Sequence, residues 1–367
     1  MKSLKNKINP FFIGAVGLLF LSMICTSEFW NISDALYLNT KVHFFSNIQD
    51  GQVVQRPGKG ALLIRLSGKI GLLARSLQSV IVAAPSNHIS ENDWKELDSS
   101  PTGTNFSGEV LAFPGWQKIY LRSKGALGYR IMDDIEMGVG EVFIVAGQSN
   151  AAGASADLFM TESTHVRSAY LDRGGHVRWK RGDDPQIQGG GGSVWPLVGD
   201  RLQKELQVPI GFINVAVGST KIKQWEAGSK NFKGLMNAIK SAEPYGVRAV
   251  LWQQGESDIG TTTEEYYNQL AVIIKETQSL SHSKTKIPWL VATSSYYPVG
   301  LWEPVRIAQQ KICQDGLAFE GPDTDSLGLE YRQERPVSEA VHYNEAGLRE
   351  AANLWYQKIM KAFFIQK

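Results

Sequence analysis

Residues 141–150 read Glu-Val-Phe-Ile-Val-Ala-Gly-Gln-Ser-Asn. Glu141–Ala146 is a continuous apolar run, and a run without alternation is what a strand covered on both faces shows. It ends in a Gly, and a Ser follows two positions later. Three more runs of the same kind come downstream: Pro209–Ala216, Arg248–Gln253 and Pro288–Thr293. Between them, Trp195–Leu206, Phe232–Ala242 and Thr263–Leu280 carry apolar residues at helical spacing. Thr263 stands before Glu264 and Glu265, which suits an N-cap with acids in the first turn. A last helix is expected over Asn344–Phe364. Strands alternating with helices predict a three-layer α/β/α domain with a parallel sheet. In such a domain, sites form at the carboxyl ends of the strands.

Upstream the texture differs. From about Ala35 to Gly140, short alternating segments such as Gly60-Ala-Leu-Leu-Ile-Arg-Leu66 and Gln117-Lys-Ile-Tyr-Leu-Arg122 are separated by Gly, Pro, Asn and Ser clusters. Short strands without helical spacing between them predict a small β-sandwich. The expected layout is therefore a β-sandwich over 35–138 and an α/β/α domain over 139–367. His43 and His88 stand alone in the first part and suggest no catalytic cluster.

The first 27 residues form a separate unit. Lys2, Lys5 and Lys7 precede a 14-residue apolar run, Phe11–Ile24. A basic start followed by such a run has the layout of a secretory signal peptide. The charge-free stretch Ile8–Ser27 also approaches the roughly 20 residues of a spanning helix. Both a cleaved signal and a membrane anchor therefore stay open, and each implies an exported protein. Asn31 and Asn105 head N-glycosylation patterns.

Composition removes several classes. With 38 Lys+Arg against 36 Asp+Glu, the formal charge is +2, which gives no concentrated basic surface for nucleic acid. Two cysteines, Cys25 and Cys313, are too few for a cysteine-built zinc site. HExxH, P-loop and Rossmann Gly-rich patterns are all missing, and Gly189–Gly192 lacks the Lys-Ser/Thr of a phosphate loop. That four-Gly run reads as a flexible loop near the cleft. The ten Trp suit carbohydrate handling and a plain core equally well.

The strand ends carry the chemistry. The first ends in Gly147-Gln-Ser-Asn150, the second in Val217-Gly-Ser-Thr220 and the third in Gln253-Gln-Gly-Glu-Ser-Asp258. Glu339-Ala-Val-His342 precedes the last helix. A serine hydroxyl is a weak nucleophile until a base takes its proton, so Ser149 and His342 form a candidate pair. Glu339 is placed to orient the imidazole. The N–H groups of Ser149 and Gly218 are candidate oxyanion donors. Gly147-Gln-Ser-Asn-Ala151 departs from GxSxG, which argues against an α/β-hydrolase elbow.

Gly147-Gln-Ser-Asn150, Trp252-Gln-Gln-Gly-Glu-Ser-Asp258 and Val341-His-Tyr-Asn344 resemble the motifs of the sialate O-acetylesterase and acetyl xylan esterase group of SGNH hydrolases. Gly192-Ser-Val-Trp-Pro-Leu197 and Gly218-Ser-Thr…Trp225 are similar to the same group, and the resemblance covers about residues 140–360. It implies an SGNH-type domain, Ser149 as nucleophile, His342 as general base and Gly218 as an oxyanion donor. The family's acid is usually Asp, where this chain has Glu339. Many SGNH enzymes also place a donor Asn in the third motif, and it is missing here. Gln254 is the preferred replacement and Ser257 the alternative. Gln148, Asn150, Glu256 and Trp225 are expected to bind substrate or to hold the loops. The implied activity is removal of O-acetyl groups from a glycan, with no metal or organic cofactor. Acetyl transfer on the same triad and non-catalytic glycan binding are the alternatives. The sequence names neither the sugar nor an oligomeric state.

Overall fold

The strand read as Glu141–Ala146 is the last third of a much longer one. In the computed structural model it runs from Gly128 to Gly147, so the expected boundary at 138/139 falls inside a single strand. The structure describes residues 43–44, 48–70, 75–83, 89–101, 105–125, 128–281, 286–298, 300–333 and 340–365. The N-terminal segment with its apolar run lies outside them, as does Glu339. Among the described residues, no helix is long and apolar enough to cross a membrane.

Eight strands come first: β1 (His43–Phe44), β2 (Gln52–Gln55), β3 (Leu62–Lys69), β4 (Ser76–Ala83), β5 (Lys95–Asp98), β6 (Asn105–Ala112), β7 (Gly115–Gly125) and β8 (Gly128–Gly147). β1, β3 and β6 form a small antiparallel sheet. β4, β5 and β7 pair in turn and join the early half of β8, which β2 flanks in parallel. Ile64, Leu66, Phe106 and Val110 from the small sheet share one buried cluster with Leu77, Ile119, Leu121, Ile135 and Met137. The period-2 alternation of β3 and β6 produces that inner face. Through β8 these strands are continuous with the large sheet, giving eleven strands in all.

The later strands are β9 (Val166–Leu171), β10 (Val177–Arg181), β11 (Ile210–Asn214), β12 (Ala249–Gln253), β13 (Trp289–Thr293) and β14 (Phe319–Asp323). Their order is β10-β9-β11-β8-β12-β13-β14, parallel except for the antiparallel edge strand β10. Helices are α1 (Ser149–Ala152), α2 (Trp195–Leu206), α3 (Lys230–Ala242), α4 (Thr263–Leu280), α5 (Glu303–Gln314) and α6 (Glu345–Phe363). Successive residues of β8 part to opposite faces. Val142, Ile144 and Ala146 pack with α3, α4 and α5, and Phe143 and Val145 pack with α2 and α6. Coverage on both faces is what made the sequence apolar without alternation.

The tryptophans belong to these layers. Trp195, Trp225, Trp252, Trp289 and Trp355 are each under 2% exposed. Each removes roughly 150–250 Å² from water, on the order of 4–6 kcal/mol as an upper estimate. Trp225 meets Trp252 edge-on at 5.1 Å, so it is core and presents no face to a sugar. The N-cap of α4 is Thr262, one residue before the expected Thr263. Thr262 and Glu265 form a capping box, and the Thr263 hydroxyl donates to the Pro304 carbonyl at 3.0 Å.

Candidate functional site

β8 lies at the centre, with β11 on one side and β12 on the other. The chain therefore leaves β8 in opposite directions, which opens a crevice at its carboxyl end. Ser149 is the second residue beyond β8. Gly147 makes the turn with φ +129°, and a Cβ there would lie 1.9 Å from the Gln253 carbonyl oxygen. The Gln148 N–H donates to that carbonyl at 2.9 Å. Only glycine permits this approach, and the approach fixes Ser149 at the head of α1.

From β11, the Val217 N–H donates to the Gly147 carbonyl at 2.9 Å. This brings Gly218 beside the serine: a Cβ built on Gly218 would lie 3.7 Å from Cβ of Ser149. Gly218 is exposed, whereas Ser149 is only 8% exposed. The structure thus brings Ser149 and Gly218 together at the crevice floor.

From β12, the Gln148 side chain gathers the next loop. Its Oε1 accepts from the N–H groups of Gly255 (3.3 Å) and Ser257 (3.2 Å) and from the Gln254 amide (3.2 Å). Gln254 does not take the expected place as a donor to ligand. It is completely buried. Its amide nitrogen, which has two N–H bonds, already faces Gln148 Oε1, the Thr220 carbonyl at 2.8 Å and the Asp258 carboxylate. Its oxygens accept from Tyr266 and Gln309. Gln254 is therefore the hub of the loop. Asp258, whose carboxyl is raised above its usual range by burial, also accepts from the Ile222 N–H and from Thr261. Trp225 donates to the Thr220 hydroxyl at 3.0 Å, which is loop support. Ser257 is half-buried, and its hydroxyl has no hydrogen-bond partner among the described residues.

His342 arrives from the loop before α6 and is half-buried. Its neighbours are fixed on both sides. The Val341 carbonyl accepts from Asn150 at 3.4 Å and from Arg332 at 2.8 Å. The Tyr343 carbonyl accepts from Ser155 at 2.8 Å. The Asn150–Val341 contact joins the residue after Ser149 to the residue before His342, and so brings serine and histidine to the same crevice. Asn150 also donates to Glu256 Oε1 at 2.9 Å. Glu256 is 2% exposed, its other oxygen has no partner, and burial raises its pKa above the usual carboxylate range. Gln148, Asn150, Glu256 and Trp225 thus all serve the scaffold around Ser149.

Arg332 was not legible in the sequence. It is 2% exposed and lies between the rings of Tyr296 (4.3 Å) and Tyr343 (4.4 Å). It donates to the carbonyls of Thr324, Leu327 and Val341. An arginine that binds carbonyl oxygens leaves no motif. The four-Gly run differs from the expected flexible loop as well. Gly191 N–H donates to Gly153 O at 2.8 Å, and Gly192 and Ser155 exchange bonds of 2.8 and 3.1 Å, which closes the run onto the end of α1.

A central parallel sheet with a serine after its middle strand, a glycine beside it and a histidine before the last helix defines an SGNH-type hydrolase fold. Residues 139–357 match the family described as carbohydrate esterase, sialic acid-specific acetylesterase, and the chain belongs to that family. It is similar to a probable carbohydrate esterase of Arabidopsis thaliana, with 29% identity over 161 residues. That match covers 37% of this chain and 62% of the plant protein. A crystal structure of a carbohydrate acetylesterase from Xanthomonas citri shares the fold, with TM-score 0.54 and 18% identity over 88% of this chain and 75% of that one.

Proposed function

We propose that the protein is an exported carbohydrate O-acetylesterase working through an acetyl-serine intermediate. His342 takes the proton from Ser149 Oγ as Oγ attacks the acetyl carbonyl. The N–H groups of Ser149 and Gly218 stabilise the resulting oxyanion. His342 returns the proton to the sugar oxygen as the C–O bond breaks. It then activates water to release acetate and regenerate the serine. Glu339 supplies the carboxylate that orients His342. The Ser257 hydroxyl, which has no hydrogen-bond partner among the described residues, is the third candidate donor in place of Gln254. Every step uses side chains, backbone N–H groups and water.

The observation that carries this reading is the contact of Gly218 with Ser149, 3.7 Å from a built Cβ, in the crevice that the Asn150–Val341 bond shares with His342. The substrate is an acetylated glycan, with O-acetylated sialic acid as one member of the class. An acetate-release screen over acetylated sialosides, xylan and cell-surface glycans tests it. Ser149→Ala is expected to abolish release on every active substrate with the fold unchanged, and full residual activity overturns the assignment. The wild-type rate is expected to rise with pH across the histidine range, and a flat profile from pH 5 to 8 contradicts a histidine base.

A further inference from the structure

A second cavity lies at the opposite edge of the sheet. It has a volume of about 770 Å³ and sits where the N-terminal strands meet the starts of β12 and β13. Arg248, which lines it, stands six residues before Gln254, so roughly 20 Å of strand separates this cavity from the crevice at Ser149. Its size falls within the range of small-molecule sites, and such sites favour junctions between structural units.

Behind its lining residues Arg56 and Arg248 is Glu141, which is completely buried. Arg56 Nε reaches Glu141 Oε1 at 2.7 Å. Arg248 reaches the same carboxylate through Nε at 2.7 Å and Nη2 at 3.1 Å. One carboxylate thus holds two guanidiniums side by side and leaves one positive charge over. The Arg56 side chain is 14% exposed, and both of its Nη groups lack an acceptor among the described residues. Arg248 lies over the Phe364 ring at 5.5 Å, and its Nη1 has no hydrogen-bond acceptor among the described residues. A guanidinium fork presented to a cavity, with its counter-ion already behind it, suits a planar oxyanion.

The other polar groups agree with this. Lys286 adds an exposed ammonium, and Glu243 is the one acid among the described lining residues. Tyr245 accepts from the Arg65 N–H at 3.2 Å and has its pKa raised by burial, so its own proton is free to donate. Gln55 is spent on Glu141, Arg56 and Val142. Pro57, Pro244 and Ile287 supply apolar walls. The available groups are nearly all donors, so the fitting ligand is rich in acceptors and carries one negative charge.

We propose that this cavity binds a sugar bearing a carboxylate, as a non-catalytic subsite remote from Ser149. A uronic-acid unit meets the arginine fork with its carboxylate and the tyrosine and lysine with its hydroxyls. The proposal is independent of the esterase reading, because Ser149 takes no part in it.

The test uses the full chain carrying Ser149→Ala, with galacturonic acid and galactose titrated calorimetrically. Galacturonic acid is expected to bind and galactose to bind at least tenfold more weakly. Lys286→Glu, a surface change, and Arg56→Gln, which keeps an amide donor for Glu141, are each expected to lower galacturonate affinity at least tenfold. Their melting temperatures report whether the fold is kept. Absence of galacturonate binding, equal binding of galactose, or affinity unchanged in Lys286→Glu overturns the proposal.

Discussion

Gly218→Ala separates chemistry from folding. The added methyl carbon would lie 3.7 Å from Cβ and 4.0 Å from Cα of Ser149, and beyond its two chain neighbours it meets no other described atom within 4 Å. That is ordinary van der Waals contact, and Gly218 is absent from the glycines with positive φ. The folded state therefore accepts alanine without strain. The unfolded chain loses freedom, so stability should stay level or rise by about 0.4–1 kcal/mol. On the proposed mechanism the methyl nevertheless takes space beside Ser149 that the acetyl carbonyl needs. Alanine keeps the backbone N–H of residue 218, so the loss comes from displacing the carbonyl, and a misplacement on the order of 1 Å costs about 10²-fold, or about 2.7 kcal/mol. The assay pairs kcat/KM on a chromogenic acetate ester with a thermal melt. Activity is expected to fall at least 10²-fold with an undiminished melting temperature. Gly147→Ala is the contrast: a Cβ 1.9 Å from the Gln253 carbonyl oxygen, at φ +129°, should prevent folding. Gly218→Ala within a few-fold of wild-type activity would refute the placement of the reacting carbonyl. A melting temperature falling in step with activity would refute the claimed tolerance of the fold.

Arg332→Met should cost about 3 kcal/mol or more in urea denaturation, because it leaves the Leu327 carbonyl without a donor and removes the shorter of the two bonds at each of the Thr324 and Val341 carbonyls; a loss under about 1 kcal/mol would contradict the clamp. Glu256→Gln keeps an acceptor for Asn150 and removes the charge that burial disfavours. The folded pKa of Glu256 is raised above the 4.5 of a free side chain, so its cost is absent below that pH and grows as pH rises through the folded value. The variant's melting temperature should match wild type at about pH 4 and exceed it at about pH 8; the same offset at both would contradict a burial-driven shift.

The strands and helices with one strong pattern were legible. Trp195–Leu206 and Thr263–Leu280 lie where helical spacing placed them, since an apolar stripe against a sheet has few alternatives. β8 was cut short because its early half alternates while its late half is apolar throughout. The change in texture marked a change of surroundings along one strand. α5 is hidden in the sequence because Pro304 reads as a breaker, yet it occupies the first turn, where no N–H bond is lost. β14 was missed for its Gly321 and Pro322. At the site, Ser149, Gly218 and His342 were legible as strand-end or pre-helix residues. An amide can donate, which makes Gln254 a candidate donor in the sequence. In the fold, Thr220, Asp258 and Gln148 already hold it. Arg332 and Ser155 act on carbonyl groups nearly 10 or 190 residues away, and such contacts leave no trace in spacing.

The account rests on Ser149 as the residue that carries the acetyl group. Rapid acid quench of the wild-type protein during turnover of an acetyl ester, followed by peptide mass mapping, tests this most directly. The account predicts an acetyl adduct on the peptide holding Gly147-Gln-Ser-Asn150, localised to Ser149 and absent from Ser149→Ala. An adduct on another residue, or undiminished acetate release by Ser149→Ala, would contradict it.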